Sequence, residues 1–282
     1  MQLYQDPKTI NSRQNQQNTN YNKGDCMKRT IDLENEAIYT DLAIDPTCDL
    51  TSNLEIKKDK GIIITKLNVN CEISKKINKP IGNYLTIEFK DITDHLNREK
   101  VIKVFSRELK SFLGYKKYLI VGLGNRNSTP DSLGPRVVSK IVVTSHVASE
   151  KALEPGFSNV ATFSPGVKGE NGIDTFSLIK AISSFYNPDL IIVIDALVST
   201  SLERLNKTIQ LTDTGINLNG NYLDKKSLKV PVLAIGVPTV IDLKTLISTN
   251  IDMMVTPKEI DFIVDSLAYI ISSSLNKVLH KI

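Results

Sequence analysis

Cysteine is scarce in this chain: the 282 residues hold three, Cys26, Cys48 and Cys71, all in the first quarter. An odd number, widely spaced and without a CxxC pair, supplies neither a metal knuckle nor a disulfide framework, and a reducing compartment is the simpler setting. Long apolar runs are absent too. The strongest, Leu190 to Leu197, is broken by Asp195 and falls far short of the roughly 18 residues a membrane span needs. The start, MQLYQDPKTINSRQ, lacks a basic stretch leading into an apolar one, so no secretory signal is expected. HExxH, GxSxG and GxxxxGK(S/T) do not occur, which removes the common zinc-peptidase, serine-hydrolase and nucleotide-loop readings. GLGNRN starts like a dinucleotide loop, but Asn127 stands where the third glycine belongs. Asp213-Thr214-Gly215 occurs once, without the second copy a pepsin-like pair needs. Charge of one sign does not dominate: 35 basic residues against 31 acidic leave +4. On that balance neither nucleic acid nor membrane is an expected direct partner.

What is present fits one large α/β domain, with 41% apolar and 23% charged residues. The first thirty or so residues show no periodicity, and the Asn- and Gln-rich stretch from Asn11 to Asn22 predicts a flexible polar tail. Ile38, Leu42 and Ile44 are apolar anchors that could dock the following segment on the body. Residues 53–90 read as a strand-rich subregion, with a hairpin turning at Asp59-Lys60-Gly61, a turn-like KKINKPIG and a strand in NYLTIEF. A helix is predicted from about Asp94 to Phe112. From Tyr118 onward the pattern is strand, loop, helix: YLIV, then GLGNRNSTPDSLG, then a helix through RVVSKIVVTSHV with Pro135 in its first turn. Asn159 to Thr162, DLIIVI, KTIQLTD and VPVLAIG are further strands, and Thr175–Phe185 and about Pro257–Leu279 further helices. The fold class is therefore α/β, a largely parallel or mixed central sheet flanked by helices, with additional N-terminal strands.

In such sheets functional side chains gather beyond the carboxyl ends of strands. Asp195 closes an apolar run, and Asp131 lies in STPDSLGP after a strand and a Gly/Asn-rich turn. Each could instead cap a helix. As a pair sharing one proton they would suit amide hydrolysis, one carboxylate taking a proton from water and one acid polarising the carbonyl. The turns around Gly124 and Asn125 and around Gly166, Gly169 and Gly172 could bring backbone donors close to a substrate. A divalent metal held by Asp131, Asp195, His146, Glu170 or Asp213 is the alternative; no cofactor is otherwise expected. His95, His146 and His280 each read more simply as surface or structural residues. Ser128, Ser199 and Ser201 have no link in the sequence to a catalytic histidine.

VGLGNRNSTPDSLGPRVV, FSPGVKGENGIDT, PDLIIVIDAL, LNKTIQLTDTGI, AIGVPTVID and MMVTPKEID closely resemble the germination proteases of spore-forming bacteria, over roughly Thr40 to Leu279. That resemblance implies a fold similar to the hydrogenase-maturation proteases. It also implies an autoprocessed zymogen, a homotetramer, and cleavage of small acid-soluble, DNA-coating spore proteins in the cytoplasm of the forespore and spore core. It makes Asp131 and Asp195 the essential aspartates and marks Gly124, Asn125, Thr129, Gly166, Gly169, Asp213 and Thr214 as candidates for shaping the site or touching substrate. The family's prosegment ends before a TDLA-like segment, matched here by Thr40-Asp41-Leu42-Ala43. Residues 1–39 would then be tail and propeptide, cut within Glu36-Ala37-Ile38-Tyr39, and residues 40–282 the peptidase domain. NLNGNYLDKK stands where the family carries a more glycine-rich loop.

Overall fold

The computed structural model describes residues 40–45, 54–218, 220–247 and 251–282, all within one unit, Ala37–Ile282. The expected tail and the processing region Glu36 to Tyr39 lie outside the described residues. The chain begins with a hairpin, β1 (Leu54–Asp59) and β2 (Ile62–Val69). Lys60 and Gly61 turn it with φ of 53° and 84°, the left-handed pair that a two-residue hairpin loop requires. Helix α1 (Cys71–Ile77) follows, where the sequence suggested a turn through KKINKPIG. Asn70 caps it by accepting from the backbone N–H groups of Glu72 and Ile73, and Asn78 ends it at φ 52°, so the turn begins only after the helix. Strand β3 (Gly82–Glu88) and helix α2 (His95–Leu109), capped by Asp94, complete the N-terminal third.

The next part builds the parallel half of the sheet. Strand β4 (Lys117–Gly122) leads through a 3-10 turn at Thr129–Asp131 into α3 (Leu133–Val138). The helix expected through RVVSKIVVTSHV stops there and resumes only as α4 (Ser145–Ala148). In between, the Val142 N–H donates to Asn276 Oδ1 of the C-terminal helix and the Thr144 N–H to the Val160 carbonyl, partners distant in the chain rather than the preceding turn, and β-branched residues weaken the helical alternative. Then come β5 (Asn159–Phe163), α5 (Lys168–Asn171), α6 (Thr175–Tyr186) and β6 (Leu190–Ser199).

Strand β7 (Thr208–Thr212) precedes a small hairpin of β8 (Ile216–Leu218) and β9 (Asn221–Leu223), which occupies the NLNGNYLDKK region together with α7 (Lys225–Leu228). The chain finishes with β10 (Val232–Asp242), α8 (Leu243–Leu246), β11 (Met254–Val255) and α9 (Ile260–His280).

Nine strands form one mixed sheet in the order β1-β2-β3-β7-β10-β6-β4-β5, with β11 on β10. Strands β10, β6, β4 and β5 run parallel, whereas β1, β2, β3, β7 and β10 pair antiparallel. The parallel character is thus confined to half of the sheet. Along the chain, β5 is laid on one side of β4 and β6 on the other, so the strand order reverses at β4. That reversal opens a crevice at the carboxyl ends of β4 and β6.

Each face is covered. Helices α2, α3 and α9 bury Phe105, Leu133, Val137, Leu267 and Ile271 against Ile120, Ile192 and Ile194 of the sheet. The opposite face places Ile179 of α6 over Leu119, Ile191 and Val193. The alternation of β6 residues between the two clusters is the period-2 pattern of a strand buried on both sides. By length and composition alone α9 is apolar enough to cross a bilayer, but Val264, Leu267, Ile271 and Leu275 are completely buried in this core.

Candidate active site

Asp195 does not end its strand. Strand β6 continues to Ser199, and Asp195 pairs in register with Gly236 of β10. What ends is the neighbour: β4 stops at Gly122, opposite Ile194. Asp195 is therefore the first residue of β6 beyond its β4 partner, at the crevice made by the reversal of strand order. Its Oδ1 accepts from the Ala196 N–H at 2.9 Å, so it caps no helix.

Asp131 reaches the same crevice from the loop after β4. Its Oδ2 accepts from the Asn125 N–H at 2.8 Å, a bond back into the loop rather than forward into α3. Glycines make this path possible. A Cβ on Gly124, whose φ is +106°, would lie 1.9 Å from the Asp131 carbonyl oxygen and 2.9 Å from its Oδ1. At Gly134 a Cβ would stand 2.3 Å from the Leu123 carbonyl and 2.6 Å from that of Ile194, and at Gly122 one would meet the Gly134 carbonyl at 2.3 Å. The end of β4, the start of α3 and the middle of β6 thus touch backbone to backbone, and any side chain at these positions would force the Asp131 loop away from Asp195.

The electrostatics couple the two acids. Burial pushes the Asp195 carboxyl well above the ordinary carboxylate range, the Asp131 charge adds to this, and Asp41 adds further, while the Ala196 N–H opposes. Asp131 is raised as well, by burial first; the Asn125 N–H pulls it back and Glu170 pushes it up. Both residues keep part of their surface open. One proton held on Asp195 with Asp131 ionised is the arrangement these causes favour, because a second negative charge in the same desolvated space is costly.

The other sequence candidates divide. Asn125 supplies the backbone donor just described, and its Oδ1 accepts from the Asn127 N–H. Gly166 precedes and Gly169 lies in α5, the short helix that carries Glu170, whose Oε1 accepts from Asn127 Nδ2 at 3.1 Å; a Cβ on Gly166 would lie 2.9 Å from Glu170 Oε2. This segment borders the Asp131 side of the crevice. Thr129 turns toward α9, its hydroxyl donating to Asp261. Asp213 and Thr214 are placed elsewhere. Strand β7 runs antiparallel to β10, so they fall toward the amino end of β6. There Asp213 accepts from the backbone and side-chain nitrogens of Asn83, and Thr214 bonds Tyr84 and Thr212. His146 sits in α4. Among the described residues, no group of three or more His, Cys, Asp or Glu side chains gathers as a metal site.

A further carboxylate arrives that periodicity could not find. The Asp41 N–H donates to the Val198 carbonyl at 2.9 Å and the Val198 N–H to Asp41 Oδ2 at 2.8 Å, on the edge of β6 that β4 has vacated. Around it, residues 40–45 form a strap. Lys79 Nζ donates to the Thr40 carbonyl, the Ala43 N–H to Gln210 Oε1, and Asp45 takes bonds from Thr40, Ser199, Thr200 and Arg204. Leu42 and Ala43 are fully buried. The only cue in the sequence was the TDLA string itself.

Comparison with known proteins shows what the chain is similar to. The family profile described as Germination protease matches residues 45–254. The germination protease of Bacillus cereus is 41% identical over 255 residues, covering 81% of this chain and 70% of its own; that of Bacillus licheniformis is 40% identical over 256 residues, with 80% and 69% covered. Among solved structures, the nickel–iron hydrogenase maturation protease HycI of Thermococcus kodakarensis overlaps 60% of this chain and 98% of its own at 20% identity and a TM-score of 0.35. The hydrogenase maturating endopeptidase HybD of E. coli overlaps 57% and 93% at 12% identity and a TM-score of 0.27. By the extent of its profile match and its identity to these Bacillus proteins over most of its length, the chain belongs to the germination protease family.

Proposed function

We propose that this protein is an endopeptidase that begins the degradation of small acid-soluble, DNA-protecting spore proteins during germination, with Asp131 and Asp195 as its catalytic pair. Family membership makes it a protease of germination; the finer reading rests on one observation, the placement of Asp131 in the loop after β4 and of Asp195 just past the end of β4, at one crevice where Gly122, Gly124 and Gly134 let the backbones touch. Ionised Asp131, steadied by the Asn125 N–H, takes a proton from water as its oxygen attacks the substrate carbonyl carbon. Asp195 gives its proton to the carbonyl oxygen. Collapse of the tetrahedral species breaks the C–N bond; the amine leaves with the proton from Asp131, and Asp195 recovers its own. Each residue ends as it began.

The same reading includes synthesis as a zymogen that cleaves itself within Glu36 to Tyr39, assembly as a homotetramer, and action in the cytoplasm of the developing forespore and spore core. A cut within Glu36 to Tyr39 would leave the strap, bonded from Thr40 and Asp45 to the body, with the mature enzyme. The decisive experiment is cleavage of a purified small acid-soluble spore protein by D131N and D195N, each processed and folded. Each is expected to lose about a thousandfold or more in kcat, the scale of losing a proton-transfer group and its partner's protonation state. Normal turnover by both would reject the pair. Turnover of the metal-stripped enzyme, with metal content checked by elemental analysis, is expected to stay within about twofold; restoration only by an added divalent ion would transfer the aspartates to ligand roles.

A further inference from the structure

One groove, whose lining includes neither Asp131 nor Asp195, is strongly cationic. About 750 Å³ in volume, it is lined by Lys60, Lys100, Lys103, Arg107, Lys110 and Lys277, with Glu99 as its acidic member. Four of these cations come from one helix. Lys100, Lys103, Arg107 and Lys110 are separated by steps of three, four and three, which stacks them on one face of α2 over roughly 15 Å at 1.5 Å per residue. The opposite face, Val101, Ile102, Val104, Phe105 and Leu109, does the packing, so the fold does not need the stripe. The hairpin tip brings Lys60 alongside it, because Asp59 of the same tip pairs with Arg107. Helix α9 adds Lys277 from the other side.

Neutralisation of this charge is incomplete. Arg107 is shared between Asp59 and Glu108, and Lys277 stands 3.9 Å from Glu99. Lys100 reaches only the Asn97 side-chain carbonyl. Lys103 and Lys110 have no ion pair among the described residues. In the same lining, the Ser106 hydroxyl is buried without a hydrogen-bond partner, which a native interior rarely tolerates unless something else satisfies it.

We propose that this groove binds the phosphate backbone of nucleic acid. A stripe of about 15 Å matches some four successive phosphates of one strand of a duplex, at 3.4 Å each along the axis. Five of the six cations are lysines, compact charges suited to phosphate, rather than the arginine forks that grip carboxylates in pairs. The groove walls are helix side chains apart from Lys60 at the hairpin tip. Average charge concealed this: a balance of +4 over the chain says nothing about six cations converging on one groove. Such a site would hold the enzyme near DNA without reading its sequence.

The test is fluorescence anisotropy of a short fluorescein-labelled DNA duplex of mixed sequence, titrated with the full chain at several salt concentrations. The variant K103Q/K110Q is compared with K225Q/K226Q, which removes two exposed lysines of α7 on the other face of the sheet. K103Q/K110Q is expected to bind about tenfold or more weaker and to flatten the log–log salt slope by about 1.8, two contacts at 0.9 each. K225Q/K226Q should stay within about twofold, and polyglutamate should not displace the DNA. The proposal is overturned by an absence of saturable binding, by equal losses in the two variants, by an unchanged K103Q/K110Q, or by displacement by polyglutamate. The last result would assign the groove to acidic protein. Unchanged thermal unfolding of both variants separates loss of binding from loss of fold.

Discussion

A carboxyl that keeps its proton because it is buried leaves a signature in both activity and stability. Above the raised pKa of Asp195 the pair would carry two negative charges and no acid, so kcat/KM is expected to fall on the alkaline side as Asp195 ionises and on the acid side as Asp131 takes up a proton, a bell measurable with a short peptide substrate. Stability moves in only one direction here. The folded pKa of Asp195 lies above its unfolded value, so between the two the folded protein holds more protons than the unfolded one, and stability declines as pH rises through that window. Asn cannot ionise. D195N should therefore be inactive yet more heat-stable than the parent at neutral pH, with a shallower fall in Tm as pH rises above the ordinary carboxylate range. A variant less stable than the parent at neutral pH would show that Asp195 is held ionised by contacts that outweigh its burial.

At the level of elements, the site depends on how closely β4, α3 and β6 approach and on the strap that covers the edge of β6. Gly124→Ala puts a methyl within 1.9 Å of the Asp131 carbonyl at a φ of +106°. It is expected to cost about 2 kcal/mol or more and to depress activity about tenfold or more, read from urea unfolding and peptide turnover. The strap has a different weak point. The Asp45 side chain is fully excluded from solvent and faces Arg204 at 3.1 Å; Asp45→Ala leaves that guanidinium with Glu88 alone and takes the shared acceptor from the Thr200 N–H and the Thr40, Ser199 and Thr200 hydroxyls, at about 3 kcal/mol. Hydrogen exchange would show the Asp41 amide losing protection first if the strap detaches as a unit. Some elements were readable in advance and others were not. The hairpin at Lys60-Gly61 was legible because positive φ demands particular residues, and α6 and α9 because their apolar spacing is unbroken. The stop in α3 was not, since RVVSKIVV has acceptable helical spacing; the bonds that end it go to Asn276 and Val160, more than a dozen residues away.

For the whole molecule, assembly and surface charge are the accessible observables. Sedimentation of the processed protein is expected to give four copies of the chain, and a monomer with full activity would separate oligomerisation from catalysis. The sequence by itself determined the α/β class and singled out the two aspartates and the glycine-rich turns as candidates, because each is a local consequence of side-chain period, desolvation or backbone freedom. It placed Asp213 and Thr214 with the same candidates because a strand-end position reads alike on either edge of a sheet. Tertiary structure decided the rest. Only strand order shows that β7 runs antiparallel and carries Asp213 toward the other end, that Asp195 lies within β6 just past the end of β4, and that Asp41 reaches Val198 across 157 residues of chain. Lysines at 60, 100, 103, 110 and 277 likewise share a groove only once the hairpin and two helices are packed. The physical reason is the same in each case: pKa, coupling and surface field depend on distance through space, and a sequence records distance only along the chain.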